Sequence, residues 1–295
     1  MITRRRFLAI SAAALALPAR AEPLRWQGYA MGAKVSLTLE APEAQARAAL
    51  QEVRTLLRET ETLFSLYEPS SRLSQLNATG RLDQPPTRFS TLLKLCDQAH
   101  RLTAGRFDPT VQPLWQALAQ GQNPEPARRL IGWQRVRHSN ARVALAPGQA
   151  LTLNGIAQGY ATDLVSAALK RAGLTHVLVN IGEYHGTGRD WQIGVADPTH
   201  GLIAHQNLKN RALAASSPGA MPLGQNQTHI LDPLGQPPKW STVSVEAETA
   251  AMADALSTAF CHASRKDIQR ILRATPGRPK ALCVTQAGTL HHLSA

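Results

Sequence analysis

Strand-like and helical segments alternate irregularly along this chain, and that order restricts its fold more than any other feature. Residues 34–40, K-V-S-L-T-L-E, alternate as a strand with one buried face does. Residues 43–66 follow as an amphipathic helix carrying Ala46, Leu50, Val53, Leu57 and Thr60 along one side. A second helix is predicted over 91–104, ended by Gly105, and a strand-like stretch over 135–145 turns near Ser139 and Asn140. A helix over 158–172 stops at Gly173, with strands over 176–180 and 191–195 after it. The pattern closes with a strand over 242–246, a helix over 249–263 and a strand over 280–285. Hairpin-like strand pairs interrupt the alternation, which favours an α+β fold over a doubly wound parallel sheet. No Gly/Ser-rich or Pro-rich linker and no internal repeat divides the chain. Residues 22–295, about 270 in number, therefore read as a single large domain of antiparallel or mixed sheets with packed helices.

The first 21 residues read as an address. Arg4, Arg5 and Arg6 precede Phe7-Leu8, a weakly hydrophobic alanine-rich run follows, and Ala19-Arg20-Ala21 supplies an A-x-A cleavage site. The arginine pair points to twin-arginine export and a periplasmic location; a Sec signal carrying a chance arginine pair is the alternative. No later run reaches the roughly 18 apolar residues of a membrane-spanning helix.

The formal charge is +12, and the chain stays basic once Arg4, Arg5, Arg6 and Arg20 are removed with the leader. The remaining basic residues are scattered, with no recognition helix, zinc-knuckle spacing or arginine-rich arm, which argues against nucleic acid as a partner. A basic surface that attracts an anionic ligand such as a dinucleotide fits better. Cys96, Cys261 and Cys283 are too few and too widely spaced for a disulfide framework or a zinc site. They allow one bridge with one free thiol, or three buried thiols.

Chemistry concentrates in a few segments. In M-A-D-A-L-S-T-A, residues 252–259, Asp254 and Thr258 share one face of a helix and offer two hard oxygen ligands, suited to Mg²⁺ or Ca²⁺ and poorly suited to Zn²⁺. Most such pairs are solvated faces or local hydrogen bonds, so the spacing alone is weak. In N-G-I-A-Q-G-Y, residues 154–160, a strand ending at Leu153 leads into a helix near Ala157. Gly155 and Gly159 there permit close backbone approach to a ligand, although a plain turn into a helix needs no function. The loop T-A-G-R-F-D-P-T-V, 103–111, sets Phe107 and Asp108 where an aromatic plane and a carboxylate could face a heterocycle, or where Phe107 is core and Asp108 caps a turn. T-H-I-L-D-P, 228–233, places His229 near a second carboxylate, Asp232.

Taken in order, these segments resemble the ApbE-type FAD:protein FMN transferases. The resemblance covers nearly the whole chain after the leader. It rests on Y-A-M-G-A at 29–33, F-S-L-Y-E-P-S-S at 64–71, T-A-G-R-F-D-P-T-V at 103–111 and L-N-G-I-A-Q-G-Y-A-T-D at 153–163. V-N-I-G-E at 179–183, T-H-I-L-D-P-L-G-Q-P at 228–237 and A-D-A-L-S-T-A at 253–259 complete the series. No single motif decides it, but seven in order are specific. The resemblance implies Mg²⁺-supported cleavage of FAD, with FMN esterified to a threonine hydroxyl of an acceptor flavoprotein and AMP released. It implies a flavin site between two halves of the domain and, as protein partner, a periplasmic acceptor flavoprotein or domain. By the same resemblance Asp254, Thr258 and the Gly155 carbonyl hold the metal, and Met31, Tyr67, Arg106, Phe107, Asp108 and Leu231 line the FAD site. His229 is then the base that activates the acceptor, a role that the ordinary pKa of an imidazole suits near neutrality.

The chain also departs from the family pattern. Where the family reads D-L-G-G-I-A-K-G, this sequence has T-L-N-G-I-A-Q-G, so Thr152 replaces a carboxylate and Gln158 a charged residue near the phosphates. Each change removes one charge-assisted hydrogen bond, worth roughly 1.5–3 kcal/mol. Such divergence suits a specialised copy serving one acceptor, for example in nitrous-oxide reductase maturation. It also keeps open a different class of protein, a carrier or assembly factor that holds FAD without transferring FMN.

Overall fold

An eight-stranded, wholly antiparallel sheet organises the chain, and its strands lie side by side in the order in which they occur in sequence. The structure is a computed structural model that describes residues 23–224 and 227–295; the expected leader lies outside the described residues. β1 (Leu24–Ala30) and β2 (Ala33–Leu39) form the first hairpin, closed by Met31 and Gly32 at φ 53° and 73°. Positive φ at both turn residues matches the right-handed twist of the flanking strands. Glycine adopts it freely, whereas Met31 is held there: its N–H donates to Glu61 Oε1 at 2.8 Å, and its carbonyl accepts from Gln158 Nε2 at 3.2 Å.

A helical insertion then separates β2 from its next neighbour. It comprises α1 (Glu43–Phe64), α2 (Arg72–Thr79), β3 (Arg81–Asp83), α3 (Thr87–Leu102), α4 (Gln112–Ala119), α5 (Pro124–Arg128), β4 (Arg137–His138), β5 (Arg142–Ala144) and α6 (Ala157–Arg171). β3, β5 and β4 make a small sheet of their own. The main sheet resumes with β6 (Val177–Asn180), β7 (Tyr184–Thr187) and, after a separate hairpin of β8 (Trp191–Asp197) and β9 (Gly201–Leu208), β10 (Arg211–Ser216). A short pair, β11 (Pro222–Leu223) and β12 (Gln227–Thr228), precedes β13 (Thr242–Ala247). α7 (Ala250–Phe260) and α8 (Arg265–Ala274) lead to β14 (Lys280–Val284) and the edge strand β15 (Leu290–Leu293).

α7 is the centre of the molecule. Of its residues only Thr258 escapes full burial. A helix that is apolar all round must be enclosed on every side, and α7 packs against α6, α3 and the strands β10 and β13. Phe64 of α1 stacks on Phe89 of α3 with ring centroids 5.6 Å apart, and Tyr160 of α6 meets Phe64 edge-on at 6.0 Å. These rings join three helices of the insertion in one core that also receives Leu256 and Phe260 of α7.

The architecture is the expected α+β domain, and the predicted strands and helices recur with shifted ends. Three differences have physical causes. α3 begins at Thr87, directly behind Pro86, whose φ of −53° already suits a helix start. Leu50 is half-buried, and Ala49, Leu56 and Phe64 fill the buried side of α1 instead. Residues 151–153 are not a strand: the Leu151 backbone exchanges hydrogen bonds with the Asn77 side chain (2.7 and 2.8 Å), and Thr152 N–H donates to Pro109 at 2.8 Å. All three cysteines are buried free thiols, which settles the choice left open by their spacing. No helix among the described residues is long and apolar enough to cross a membrane.

Candidate functional site

The two oxygens on α7 meet the loop before α6 at one end of a large cleft. Asp254 is 4 % exposed and Thr258 lies one turn further on, at the cleft wall. Gly155 faces them closely enough that a Cβ there would lie 2.9 Å from Thr258 Oγ1, so only glycine lets this backbone approach. Asp254 Oδ2 accepts the Gly159 N–H at 3.3 Å. From β10, Ser216 Oγ lies 2.8 Å from Ser257 Oγ and 3.5 Å from Thr258 Oγ1, which ties the hydroxyl to the sheet.

This donor set is all oxygen and carries one charge. No group of three or more His, Cys, Asp or Glu side chains that could hold a metal exists among the described residues. An oxygen-only set with one carboxylate fits a hard cation such as Mg²⁺, which keeps several positions for waters and ligand phosphates rather than filling a protein cage. Asp254, Thr258 and the Gly155 carbonyl are the groups that could hold it.

The cleft has a volume of about 1150 Å³ and draws its walls from the β1–β2 hairpin, the helical insertion, β10, residues 217–221 and 229–233, and α7. It therefore lies where the N-terminal, inserted and C-terminal parts of the fold meet. Tyr67, Arg106, Phe107, Asp108, Thr152, Gln158, Leu231 and His229 all line it; Met31 does not. Met31 acts one step back, through the carbonyl that anchors Gln158. Gln158 also packs over Gly182, whose φ of 90° and lack of a Cβ leave room for the amide.

Two of these residues are committed largely to the fold. The Phe107 ring belongs to the main core. The Asp108 carboxylate accepts from Thr110 N (2.8 Å), Thr110 Oγ1 (2.6 Å) and Trp133 N (3.1 Å), and so caps its own loop. Arg106 remains a cation at the cleft, held by Asp232 at 3.4 Å and Asp267 at 3.7 Å. Hydrogen bonds from Ser264 and Arg270 keep the Asp267 carboxyl below the usual carboxylate range.

His229 reaches the cleft from the loop after β12. Its Nδ1 lies 3.1 Å from the Pro218 carbonyl and 3.3 Å from that of Met221. Carbonyl oxygens only accept, so Nδ1 donates to them, and in the neutral ring the lone pair then sits on Nε2. The Trp115 indole donates to the His229 carbonyl at 3.1 Å and fixes the backbone beneath the ring. Asp232 serves a different purpose from the one its spacing suggests. Its buried carboxylate takes Arg106 and the Gln236 N–H (3.0 Å), closing the loop on itself.

Sequence reasoning assigned no site role to Trp115, Gln112, Ser216 and Met221, nor to Glu183 within V-N-I-G-E, although all five line the cleft. A signal for α4 was present: Pro113 opens a short apolar run, L-W-Q-A-L-A, that puts Leu114 and Ala117 inward.

A Rhodobacter capsulatus protein named FAD:protein FMN transferase is 29 % identical over 284 residues, spanning 84 % of this chain. This chain covers only 53 % of that relative, about half its length. A Chlamydia pneumoniae protein of the same name is 28 % identical, over 73 % of this chain and 76 % of its own. The crystal structure of the ApbE protein from Thermotoga maritima superposes with a TM-score of 0.81 at 25 % identity, covering 92 % of this chain and 97 % of that one. Residues 31–283 match the ApbE family profile, a span that includes the oxygen pair of α7, the Gly155 loop and His229, and the chain belongs to the ApbE family.

Proposed function

We propose that this protein is a Mg²⁺-dependent FAD:protein FMN transferase that esterifies FMN to a threonine hydroxyl of an acceptor flavoprotein and releases AMP. The observation that carries the reading is the meeting, in one dinucleotide-sized cleft, of the oxygen set on α7 with a histidine whose tautomer is fixed. The name shared by the relatives supports it.

In this reading Asp254, Thr258 and the Gly155 carbonyl would hold the cation. The chemistry that a hard divalent cation would supply there is neutralisation of the pyrophosphate charge and polarisation of the phosphorus under attack. His229 Nε2 takes the proton of the acceptor hydroxyl, a transfer for which the Pro218 and Met221 carbonyls hold the ring ready. The hydroxyl oxygen bonds to the FMN-side phosphorus, the phosphoanhydride bond breaks and AMP departs with that electron pair. Arg106 offers a positive charge to the phosphates, and Tyr67, 59 % exposed, offers a flat face at the cleft mouth.

The test is to incubate the protein with FAD, Mg²⁺ and a periplasmic acceptor domain and to weigh the acceptor by mass spectrometry. A flavin adduct supports the transferase. Tight FAD binding with no adduct on any acceptor replaces it with the carrier reading, which Thr152 and Gln158 keep alive.

We further propose that residues 1–21 direct twin-arginine export to the periplasm, on the strength of Arg4-Arg5 ahead of Phe7-Leu8. Replacing both arginines with lysine strands the precursor in the cytoplasm if so; a normal periplasmic yield speaks for the Sec route.

A further inference from the structure

α6 and α7 hold each other by their ends. On α6, Gly159 and Asp163 stand one turn apart; on α7, Ala250 and Asp254 do the same. The Asp163 carboxylate accepts the first two amides of α7, Ala250 N–H at 2.7 Å and Ala251 N–H at 2.9 Å. In return, Asp254 on α7 accepts the Gly159 N–H in the first turn of α6, at 3.3 Å. The helices touch between those bonds, where a Cβ on Gly159 would overlap the Ala250 carbonyl. Each carboxylate thus satisfies otherwise unpaired amides at the positive end of the other helix.

We propose that Asp163 is a positioning residue for Asp254, acting through this reciprocal clamp to set where the carboxylate meets Thr258 and the Gly155 carbonyl. The inference rests on the reading of that corner as a cation site. A helix rigid in its interior can still slide or fray at its start, and Asp254 lies only one turn from the start of α7. Thr249 secures the Met252 amide through its hydroxyl at 3.4 Å, but that bond is internal to α7 and fixes nothing relative to α6. Asp163 is the group that ties the start of α7 to the helix opening directly after Gly155. The two halves of the donor set, Gly155 before α6 and Asp254 with Thr258 on α7, are thereby held in register.

The experiment is a Mn²⁺ titration followed by electron paramagnetic resonance on the full protein, with and without FAD, beside a metal-free FAD titration and a melting curve. Asp163→Ala and Asp163→Asn are expected to weaken Mn²⁺ binding roughly 10- to 100-fold, the usual effect of losing a group that orients a metal ligand. Metal-free FAD affinity stays at the wild-type value. Gly159→Ala attacks the clamp from the other helix and weakens Mn²⁺ as well. Thr249→Ala, which removes an ordinary cap, lowers the melting temperature and leaves Mn²⁺ affinity unchanged. Should Asp163→Ala fail to fold, the near-isosteric Asp163→Asn carries the test.

Wild-type Mn²⁺ affinity in the Asp163 variants, with binding lost in Asp254→Ala, overturns the positioning role and spares the cation site. Equal weakening by Thr249→Ala overturns it too, since any loosening of α7 would then suffice. If the wild-type protein binds no Mn²⁺ in either condition, the cation site itself fails and this inference with it.

Discussion

Asp254, Thr258 and His229 carry unequal parts of the proposed chemistry, and single substitutions separate them. Asp254 supplies the only charge in the donor set, so Asp254→Ala should abolish most Mg²⁺ affinity, and Thr258→Val should weaken it less. His229→Ala should leave Mg²⁺ binding intact while transfer falls by roughly 10²- to 10⁴-fold, the range for a lost general base. Flavinylation by mass spectrometry beside Mg²⁺ titration reads both quantities, and equal loss in all three variants would sink this division of roles. Asp108 makes the opposite case. Its carboxylate accepts two hydrogen bonds from Thr110 in its own loop and one from the distant Trp133 amide while lining the cleft. Asp108→Asn should therefore cost about 2–3 kcal/mol in urea unfolding, with FAD affinity of the folded protein little changed; a stable variant that no longer binds FAD would put the carboxylate on the flavin instead. Asp254 and Thr258 were legible in the sequence because their relation is local, four residues along a helix. The partners of Asp163 and Asp232 were not, because Ala250 and Arg106 reach them only through the fold.

Among the elements, α7 was the most readable, for an alanine-rich run with one carboxylate has few other uses. Its end was overestimated. The helix stops at Phe260 because the Cys261 carbonyl turns to the Lys239 and Trp240 amides (2.9 and 3.4 Å), a contact supplied by distant chain. β10, R-A-L-A-A-S, and β15, L-H-H-L, escaped notice because alanine and histidine have little strand preference; pairing with β7 on one edge and β13 on the other makes β10 a strand, and pairing with β14 makes β15 one. The α6–α7 contact also has a pH signature. Burial raises the Asp163 carboxyl to about 6, and the Ala251 and Ala250 amides only partly offset it. A folded pKa raised above the ordinary value of 3.8 means that the native state holds the proton more tightly. The stabilisation from Asp163 is then full below pH 3.8 and is lost as pH rises through about 6. The stability difference between wild type and Asp163→Asn should fall by about 3 kcal/mol across that window. Urea midpoints at several pH values check the sign, and a difference that grows with pH would contradict it.

For the molecule as a whole, the α+β class followed from hairpin-like pairs interrupting the helices, whereas the joining of eight strands into one sheet could not be read, because β2 and β6 are far apart in sequence. The three thiols belong to this scale as well. Burial pushes Cys96 and Cys261 upward and raises Cys283 to about 12, so each stays protonated and shielded. Native protein should not react with Ellman's reagent at pH 8 and should titrate three thiols after unfolding; a native count above zero would mean that the core opens locally. The large insertion bears on how such a chain comes into being. β2 meets its neighbour β6 only after residues 40–176 have left the ribosome. At ordinary elongation rates, that leaves an uncovered strand edge on the nascent chain for on the order of ten seconds. An open edge invites pairing with another polypeptide, so a holdase or the rapid collapse of α1 onto β1 has to shield it meanwhile. Ribosome-bound chains stalled before residue 177 should accordingly show rapid amide exchange in β2, and chains stalled far enough past 187 for β7 to clear the exit tunnel should show it slowed.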